Sequence, residues 1–257
     1  MQELEMENMY QKAYIRVKCF KGLFTHDISN LFHTISNSLE LCQMLLKDRI
    51  ETEEILEYFK LIEEQINRGK KLVKNMRNLS ELEEFEMPLK PINLFEILRN
   101  MVQFVGANFS KRIVNIEIDP ETEEIYVLAN ELLLDVFENI MMNAIIYNRN
   151  EIIQIEVSIS EITEIGRKFV KLEFKDNGIG IDDIRKYEIL QEKHEKSKNS
   201  KGMGLGLSLA AKLVNLYEGH MWIEDRIKGD YTHGSNFVIL IPKTIKPEQS
   251  FYAFRED

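Results

Sequence analysis

The first third of the chain repeats apolar residues at the spacing of amphipathic helices. Residues 3–83 contain no proline, and their only glycines are Gly22 and Gly69. The apolar positions form two stripes that step mostly by threes, fours and sevens. The first stripe contains Tyr10, Val17, Phe24, Ile28, Leu31, Ile35, Cys42 and Leu45, and the second contains Ile55, Phe59, Ile62, Ile66, Val73 and Met76. This pattern predicts two long helices.

The two helices are interrupted near "KDRIETEE", residues 47–54. Because this break is short, the helices are expected to fold back as an antiparallel hairpin. A lone hairpin leaves both stripes half covered, and a second copy would complete a four-helix bundle. The stripes therefore predict a homodimer, although a coiled-coil scaffold without chemistry would show the same stripes.

The helical repeat of apolar residues ends at "EMPLKPINL", where Pro88 and Pro91 indicate a linker. Beyond it, periodicity predicts helices at "LFEILRNMVQFVGANF", "NELLLDVFENIMMNAIIYN" and "LSLAAKLVNLYEG". Strands are predicted at "IVNIEID", "IIQIEVSIS", "KFVKLEFKD", "HMWIED" and "NFVILIPK", and the stretch before the last helix reads as loop-rich.

These elements predict a two-domain protein. Residues 1–86 would be an all-α hairpin that forms a dimeric four-helix bundle, and residues 87–243 an α+β sandwich with helices on one face of a mixed sheet. Residues 244–257 would be a C-terminal tail without a clear partner.

Composition narrows the possible partners. The 257 residues are 44% hydrophobic, and 43 acidic against 33 basic residues give a net charge of −10. That charge disfavours general binding to nucleic acid or to anionic membrane surfaces. No apolar run is long enough to span a bilayer, and the N-terminus lacks the order of a signal peptide. We expect a cytoplasmic protein, with Cys19 and Cys42 as free thiols.

Two glycine clusters, "FKDNGIGI" at residues 174–181 and "KGMGLGLS" at residues 201–208, indicate close approach to the backbone. Glycine tolerates positive φ and leaves backbone N–H groups accessible to a ligand. The second cluster opens an apolar helix, whose free N–H groups favour an anion such as phosphate. Taken alone, a tight turn explains such a cluster equally well, and the spacing is not that of a Walker motif.

Asn139 and Asn143 stand four residues apart, on one face of an otherwise apolar predicted helix. Buried amides must be hydrogen-bonded, so the backbone is one explanation for both side chains. Their oxygens could instead help to hold Mg²⁺, which is usually bound through few protein ligands together with substrate phosphates.

The stretch "FTHDISNLFHTISNSLELC", residues 24–42, places histidine on the polar face of a helix. At about 100° per residue, the apolar residues cluster on one side and His26 and His33 fall opposite. Asp27 follows His26 directly, and Asn30 lies one turn further on. A histidine beside a carboxylate can be oriented and made more nucleophilic, which makes His26 the candidate nucleophile.

Together these motifs resemble sensor histidine kinases. "ENIMMNAIIYN", "DNGIGI" and "KGMGLGLSLAAKLVNLYEG" are similar, in order and spacing, to the N, G1 and G2 boxes of that family. The boxes define the GHKL or Bergerat ATP-binding fold that gyrase, the Hsp chaperones, histidine kinases and the MutL repair proteins share. The resemblance covers roughly residues 90–243 and implies ATP and Mg²⁺ as cofactors.

The resemblance also implies roles for single residues. Asn143 would ligate Mg²⁺, Asp176 would bond the adenine amino group, and Tyr147 would lie against the base. Asn139 would support the phosphate end of the nucleotide. The remaining nucleotide-binding residues implied by the two glycine boxes are Gly178, Gly180, Lys201, Gly202, Gly204, Leu205 and Gly206. Many members have a basic residue where this chain has Ile146, so Arg149, Lys198 or Lys201 would supply that phosphate contact.

The helix that carries His26 resembles the H box of the same family, with His26, Asp27 and Asn30 as catalytic residues. Leu31 stands where the family usually has proline. The resemblance implies a protein-histidine kinase that phosphorylates His26, passes the phosphoryl group to an aspartate of a response-regulator receiver domain, and uses Asn30 as a phosphatase residue.

Two other functions remain open on the sequence. An ATP-driven conformational machine would use the same boxes, but relatives of that kind have a glutamate where this chain has Asn139. A non-catalytic dimeric signalling scaffold would keep the fold without the chemistry.

Overall fold

The structure, a computed structural model, describes residues 28–47, 52–84, 88–109, 112–119, 124–164, 166–190 and 205–246. Several predicted site residues lie outside these ranges, namely His26, Asp27, Lys201, Gly202 and Gly204, and so does the side chain of Leu205. The chain divides into two compact units, Met1–Ser80 and Glu81–Asp257. The domain limits at residues 86 and 243 stay predictions.

In the first unit, α1 (Ser29–Lys47) and α2 (Thr52–Glu84) form a hairpin. At one end, a Cβ at Gly69 would lie 3.6 Å from Leu31 Cδ1. At the other end, Cys42 Sγ lies 4.0 Å from the carbonyl oxygen of Ile55. The two contacts join early α1 to late α2 and late α1 to early α2, so the helices run antiparallel.

The hairpin has two apolar faces with different exposure. The inner seam between the helices buries Ser38, Cys42, Ile55, Ile62 and Gln65. An outer seam of exposed apolar residues, spaced seven apart on each helix, consists of Phe32, Leu39, Leu46, Phe59, Ile66 and Val73. The stripe predicted on α2 thus divides between the two seams, and the predicted dimeric bundle stays a prediction.

The second unit is an α+β domain, and its described part contains seven strands and four helices. The strands are β1 (Lys90–Asn93), β2 (Ile113–Ile118), β3 (Tyr126–Ala129), β4 (Ile152–Glu164), β5 (Arg167–Asp176), β6 (His220–Ile227) and β7 (Asp230–Thr244). The helices are α3 (Leu94–Asn108), α4 (Leu133–Ile146), α5 (Asp183–Leu190) and α6 (Leu205–Leu216). In that part of the chain, no helix is long and apolar enough to cross a membrane.

The strands form a mixed sheet in the order β1-β3-β7-β5-β4-β2, and β6 also pairs with β7. The β2–β4 pair is parallel, and the other described pairs are antiparallel. A parallel pair needs a crossover connection, and β3 and α4 lie in the chain between these two strands. The predicted mixed sheet is confirmed.

The core lies between the helices and one face of the sheet. Alternate residues of β5 are buried, and the Phe174 ring lies 5.3 Å from the ring of Phe137 in α4. Helix α4 contacts α3, α6 and the sheet, and it is apolar on almost every side because all of these neighbours cover it. The polar residues of this helix are therefore held in fixed surroundings.

Three short elements differ from the sequence prediction. Pro91 predicts a linker at β1, but β1 is an edge strand paired only with β3 in the described sheet, where a missing N–H is tolerated. β3 has only four residues, too few to show alternation. The charged sequence of α5 predicts a loop, but the segment is a helix, and the Asp182 carboxylate accepts from the Arg185 N–H at 3.0 Å at its start.

Candidate functional site

Asn139, the first of the two asparagines of α4, lies against the first turn of α6. The Asn139 side chain is only 3% exposed. Its Oδ1 atom lies 2.6 Å from the position that a Cβ at Gly206 would take. A larger residue at position 206 would displace the Asn139 side chain from its present position, so this glycine allows the close contact.

Asn143 lies one turn after Asn139 and is half-buried. Its Nδ2 donates to the backbone oxygen of Asn139 at 2.6 Å. Since the amide nitrogen is the donor, Oδ1 is the side-chain atom that can accept a hydrogen bond or ligate a cation. The oxygen and its fixed helix suit a Mg²⁺ ion that takes its other ligands from phosphates and water.

Asp176 ends β5 and is 5% exposed. Burial raises the pKa of this carboxyl to about 6, and hydrogen bonds from the backbone N–H groups of Gly178 and Ser235 oppose that rise. The Gly178 N–H lies 2.7 Å from Asp176 Oδ1. At neutral pH the group is a carboxylate, a strong acceptor in a site from which most water is excluded.

The loop after Asp176 has no space for side chains at its two glycines. A Cβ at Gly178 would lie 2.8 Å from Asp176 Oδ1 and 3.0 Å from the carbonyl oxygen of Tyr147. Gly180 has a φ of +70°, and its Cβ would lie 1.5 Å from the carbonyl oxygen of Tyr231. The glycines therefore let this loop pack against both the end of α4 and the hairpin between β6 and β7.

Sequence reasoning did not identify Gly234 as part of this arrangement. Its φ is +106°, and a Cβ there would lie 1.9 Å from the carbonyl oxygen of Asp176. A single glycine inside a strand pattern often indicates a bulge or a close backbone approach. That signal was present in "HGSNF", residues 233–237.

Tyr147 follows the last residue of α4 and is half-buried. Its backbone N–H donates to the Asn143 oxygen at 3.0 Å, and its own carbonyl oxygen accepts from the Ile179 N–H at 3.2 Å. Tyr147 thus joins the end of α4 to the first glycine loop. Ile146 and Arg149, which flank this turn, are exposed.

Four further residues of this region also went unrecognised in the sequence: Arg112, Asn148, Asn150 and Asn177. Asn148 is 4% exposed, and its Nδ2 donates to Asn177 Oδ1 at 2.7 Å. Arg112 donates to the carbonyl oxygen of Ile145 at 2.8 Å, at the end of α4. Asn148 and Asn177 stand inside the N-box and G1-box motifs, but the bond between them joins residues 29 positions apart, so the motifs did not indicate this role.

Asn30 lies in the first unit and is exposed on α1. Its carbonyl oxygen accepts a hydrogen bond from Thr34 Oγ1 at 2.9 Å. His33, the alternative histidine, has its Nε2 atom 3.2 Å from Asn37 Nδ2. The structure does not describe His26 or Asp27, so the geometry of the predicted phosphoacceptor group is not part of the site described here.

Among the described residues, no group of three or more histidine, cysteine, aspartate or glutamate side chains could hold a metal ion. A site that binds Mg²⁺ through one amide oxygen and nucleotide phosphates does not need such a group. The donor set at Asn143 and the close packing of Asn139 on Gly206 fit a metal that arrives with a nucleotide.

Comparison with known proteins identifies the class of the second unit. Residues 129–245 match the family described as "Histidine kinase-, DNA gyrase B-, and HSP90-like ATPase". The match begins at the end of β3 and extends past β7, so it includes α4, both glycine clusters of the sequence and α6. The second unit is therefore similar to the α+β ATPase domains of this family.

Curated relatives extend the similarity toward the N-terminus. The adaptive-response sensory kinase SasA of Synechocystis sp. is 24% identical over 235 residues, which cover 86% of this chain and 58% of SasA. Cyanobacterial phytochrome A of Nostoc sp. is 23% identical over 235 residues, which cover 90% of this chain and 29% of the phytochrome. The chain thus spans between about a third and somewhat more than half of these relatives.

Solved structures show the same fold. The catalytic domain of histidine kinase ThkA is 24% identical and matches with a TM-score of 0.52 over 62% of this chain and all (100%) of that domain. ThkA in complex with the response regulator TrrA is 20% identical and matches with a TM-score of 0.65 over 95% of this chain and 68% of ThkA. The resemblance to sensor histidine kinases drawn from the sequence is confirmed.

Proposed function

We propose that the protein is an ATP-dependent protein-histidine kinase that phosphorylates its own His26. The phosphoryl group then passes to an aspartate of a response-regulator receiver domain. The proposal rests on the contacts between the three box segments. Asn139 packs on Gly206, and Gly178 packs against the backbone of Tyr147. Distant parts of the sequence thereby surround one site.

An adenine nucleotide fits the chemistry of this site. The Asp176 carboxylate accepts from the amino group of adenine, and Tyr147 lies against the base. Asn139, with Gly202, Gly204 and Gly206 at the start of α6, supports the phosphates, where helix N–H groups favour anions. Lys201 supplies a positive charge to the same phosphates. Leu205, which begins α6, and the turn at Gly178 and Gly180 complete the nucleotide site.

Asn143 holds the Mg²⁺ ion through its amide oxygen. The metal, when bound, supplies neutralisation of phosphate charge, which is a large part of the catalysis of phosphoryl transfer. The protein itself holds the metal-binding and base-binding side chains in fixed positions. Asn143 is fixed by its hydrogen bond to the Asn139 backbone, and Asp176 is fixed by the N–H groups of Gly178 and Ser235.

The reaction itself is an in-line displacement. A ring nitrogen of His26 attacks the γ-phosphorus of ATP, the bond to the bridging oxygen breaks, and ADP leaves. Asp27 orients the ring and takes its other proton. In the phosphatase reaction, the Asn30 amide orients a water toward the phosphorylated receiver aspartate. Its exposed place on α1 leaves it accessible to a docked partner.

The protein acts as a homodimer in the cytoplasm, in this proposal. The outer seam of the hairpin supports dimerisation, because a second copy would cover its exposed apolar residues in a four-helix bundle. Cys42 is a free, buried cysteine, which agrees with a reducing compartment. The complex of ThkA with TrrA supports a receiver domain as the partner.

Asn139 disfavours ATP hydrolysis as the main reaction. It stands where ATP-hydrolysing relatives are expected to have a water-activating glutamate, and its amide cannot act as a base. The side chain is also buried against the position of Gly206, where it leaves little space for an attacking water.

Incubation with γ-labelled ATP and Mg²⁺ tests the proposal. We expect an acid-labile, base-stable label on the protein that is lost in His26→Ala and retained in the control His33→Ala. Asn30→Ala should keep autophosphorylation and slow receiver dephosphorylation about tenfold, or about 1.4 kcal/mol. Release of free phosphate without a labelled protein would indicate an ATPase, and binding without turnover would indicate a scaffold. Either result would overturn the proposal.

A further inference from the structure

Asn177 joins the first glycine loop to the segment that follows α4. Its Oδ1 accepts from Asn148 Nδ2 at 2.7 Å and from the Gln154 N–H at 2.9 Å. Its Nδ2 donates to the carbonyl oxygen of Ile152 at 3.0 Å. The side chain of one residue therefore uses both its donor and its acceptor atoms on residues 148–154, the segment that runs from the end of α4 into β4.

The backbone of Asn177 makes contacts with the same segment. Its N–H donates to the Gln154 oxygen at 3.2 Å, and its carbonyl oxygen accepts from Asn150 Nδ2 at 2.5 Å. The next hydrogen bond along the loop runs from the Ile179 N–H to the Tyr147 oxygen at 3.2 Å. We call Asn148, Asn150 and Asn177 the amide clamp.

Arg112 holds the other side of this segment. Its Nη1 donates to the Ile145 oxygen at 2.8 Å, and its Nη2 donates to the oxygens of Asn148 at 2.9 Å and Asn150 at 3.3 Å. A guanidinium is always charged and presents its donors in a rigid fork. A positive charge at the C-terminus of α4 is also stabilised by the helix dipole. Arg112 therefore fixes where α4 ends.

The clamp connects the two ends of the candidate site. Asn143 lies in the last turn of α4, which Arg112 holds from the C-terminal side. Asp176 lies directly before Asn177, which the clamp holds from the other side. The adenine-recognising carboxylate and the metal-binding amide belong to different elements, and these hydrogen bonds run between those elements.

We propose that Arg112, Asn148 and Asn177 are positioning residues that set the distance between Asp176 and Asn143, so that base and metal-bound phosphates are recognised together. The inference rests on the proposed nucleotide site and assigns its specificity to residues that do not touch the ligand. Without these hydrogen bonds, Asp176 and Asn143 contact the base and the metal-bound phosphates independently of one another. The preference for adenine then falls even in a folded protein.

The test measures binding of ATP and GTP, each with Mg²⁺ and with a chelator, by calorimetry. The variants are Asn148→Ala, Asn177→Ala, their double mutant and Arg112→Lys, with Asn215→Ala on the exposed face of α6 as a matched control. One lost hydrogen bond corresponds to about a three- to tenfold change. We expect Asn148→Ala, Asn177→Ala and Arg112→Lys each to lower the ratio of ATP to GTP affinity by about that factor. The double mutant should lose less than the product of the single losses.

A purely structural role would lower thermal stability and leave that ratio unchanged in every variant that is folded at the assay temperature. That result, with Asp176→Asn still lowering the ratio, would overturn the inference and leave the proposed function intact. Wild-type protein that does not prefer ATP over GTP would overturn the proposed site itself, and the clamp with it. If Asn177→Ala does not fold, Asn148→Ala and Arg112→Lys decide, because each keeps the Asn177 backbone contacts.

Discussion

The two units of the molecule differ in how completely each covers its own apolar residues. In the second unit, Phe137, Phe174 and Phe237 are nearly or fully inaccessible to solvent. In the hairpin, Phe32 is 65% and Leu46 is 63% exposed, although both lie on apolar positions that repeat along the helix. The second unit closes its core by itself, and the hairpin covers only its inner seam.

The two units differ in how well they cover their apolar residues because their elements have different numbers of neighbours. A sheet with helices on one face covers each helix from several directions, whereas each of two helices in a hairpin meets a single neighbour. An exposed apolar seam of this length is typical of an interaction surface. The proposed nucleotide binding should therefore survive changes to the outer seam, and the proposed assembly should survive changes to the first glycine loop.

The largest effect is expected from Gly180→Val. The new Cβ would lie 1.5 Å from the Tyr231 oxygen, at a φ of +70°. A branched side chain in this left-handed region, with a backbone clash in addition, should cost about 3 kcal/mol or more. Trp222, the single tryptophan of the chain, lies in β6 and reports unfolding of the second unit by fluorescence.

Gly106→Ala is the matched control for that glycine. It lies in α3, and a Cβ there would meet no atom within 4 Å. Since alanine is the better helix former, this variant should stabilise the second unit by about 0.5–1 kcal/mol. Circular dichroism of Gly180→Val should retain the helix signal of the hairpin, and loss of all helical structure would show that the units are not independent.

The next effect in size concerns Phe59→Glu, a change in the outer seam. Two buried carboxylates per dimer should weaken the proposed dimer about 100-fold or more, close to 2.7 kcal/mol. Sedimentation equilibrium measures the dissociation constant, and ATP affinity should not change. Lys60→Glu, at an exposed position one residue further on, introduces the same side chain and should leave the dimer intact. A monomeric wild-type protein would contradict the assignment of the seam.

Asp176→Asn should change binding and pH dependence together. If Asp176 binds the adenine amino group as proposed, replacing the carboxylate by an amide removes one acceptor there and should weaken ATP affinity about tenfold, or about 1.4 kcal/mol. In the wild type, ATP affinity should fall as the pH drops through about 6, because the carboxyl becomes protonated there. Calorimetry between pH 5 and 8 checks this, and an equal fall in the Asn variant would assign the titration to another group.

The raised pKa of Asp176 should make the free energy of unfolding depend on pH in the opposite direction to the ATP affinity. The folded pKa of Asp176, about 6, is above its ordinary value of 3.8. The stability that this group contributes is therefore fully present below about pH 3.8 and is lost as the pH rises through about 6. Unfolding at a series of pH values should show a smaller dependence over this window in Asp176→Asn than in the wild type.

Much of the second unit could be predicted because its longer elements carry a clear period. α3, α4 and α6 repeat apolar residues at helical spacing, and β4, β5 and β7 are long enough to show a strand pattern. The four residues of β1 and of β3 are too few for any period, and their pairing depends on partners far along the chain. Local patterns hold no information about such pairing.

The residues of the candidate site likewise differ in whether the sequence predicts them. Asn143, Asp176 and Gly206 were predicted because motifs of fixed spacing contain them. Arg112 acts on carbonyl oxygens 33–38 residues away, and Asn148 bonds a residue 29 positions further on. Arg112 lies outside the motifs and Asn148 lies inside one of them, but the contacts of both are apparent only when the fold brings the segments together.

The smallest effect is expected from Glu218→Gly at the end of α6. Glu218 has a φ of 58°, and the Gly219 N–H bonds the Val214 oxygen at 2.9 Å, the geometry of a helix end that favours glycine. Relief of this conformation, less the loss of an exposed pair with Arg167, should stabilise the second unit by about 0.5 kcal/mol.

Thermal unfolding followed by Trp222 fluorescence checks this gain, which corresponds to roughly 1–2 °C. Gly219→Ala is the opposing variant, since its Cβ would lie 2.2 Å from the Leu240 oxygen. A lower midpoint in Glu218→Gly would mean that the Arg167 contact outweighs the backbone strain.

The position of β7 in the sheet determines the order in which a newly synthesised chain can fold. β7 pairs with β3, β5 and β6, all of which leave the ribosome before it. The hairpin helices are complete once residue 84 has emerged. From the end of β5, roughly 70 further residues must be added before β7 is complete, which takes about 4–14 s at ~5–20 residues per second. During that interval the β7-facing edge of β5 is open to pairing with other nascent chains, so the second unit has the greater need of chaperones.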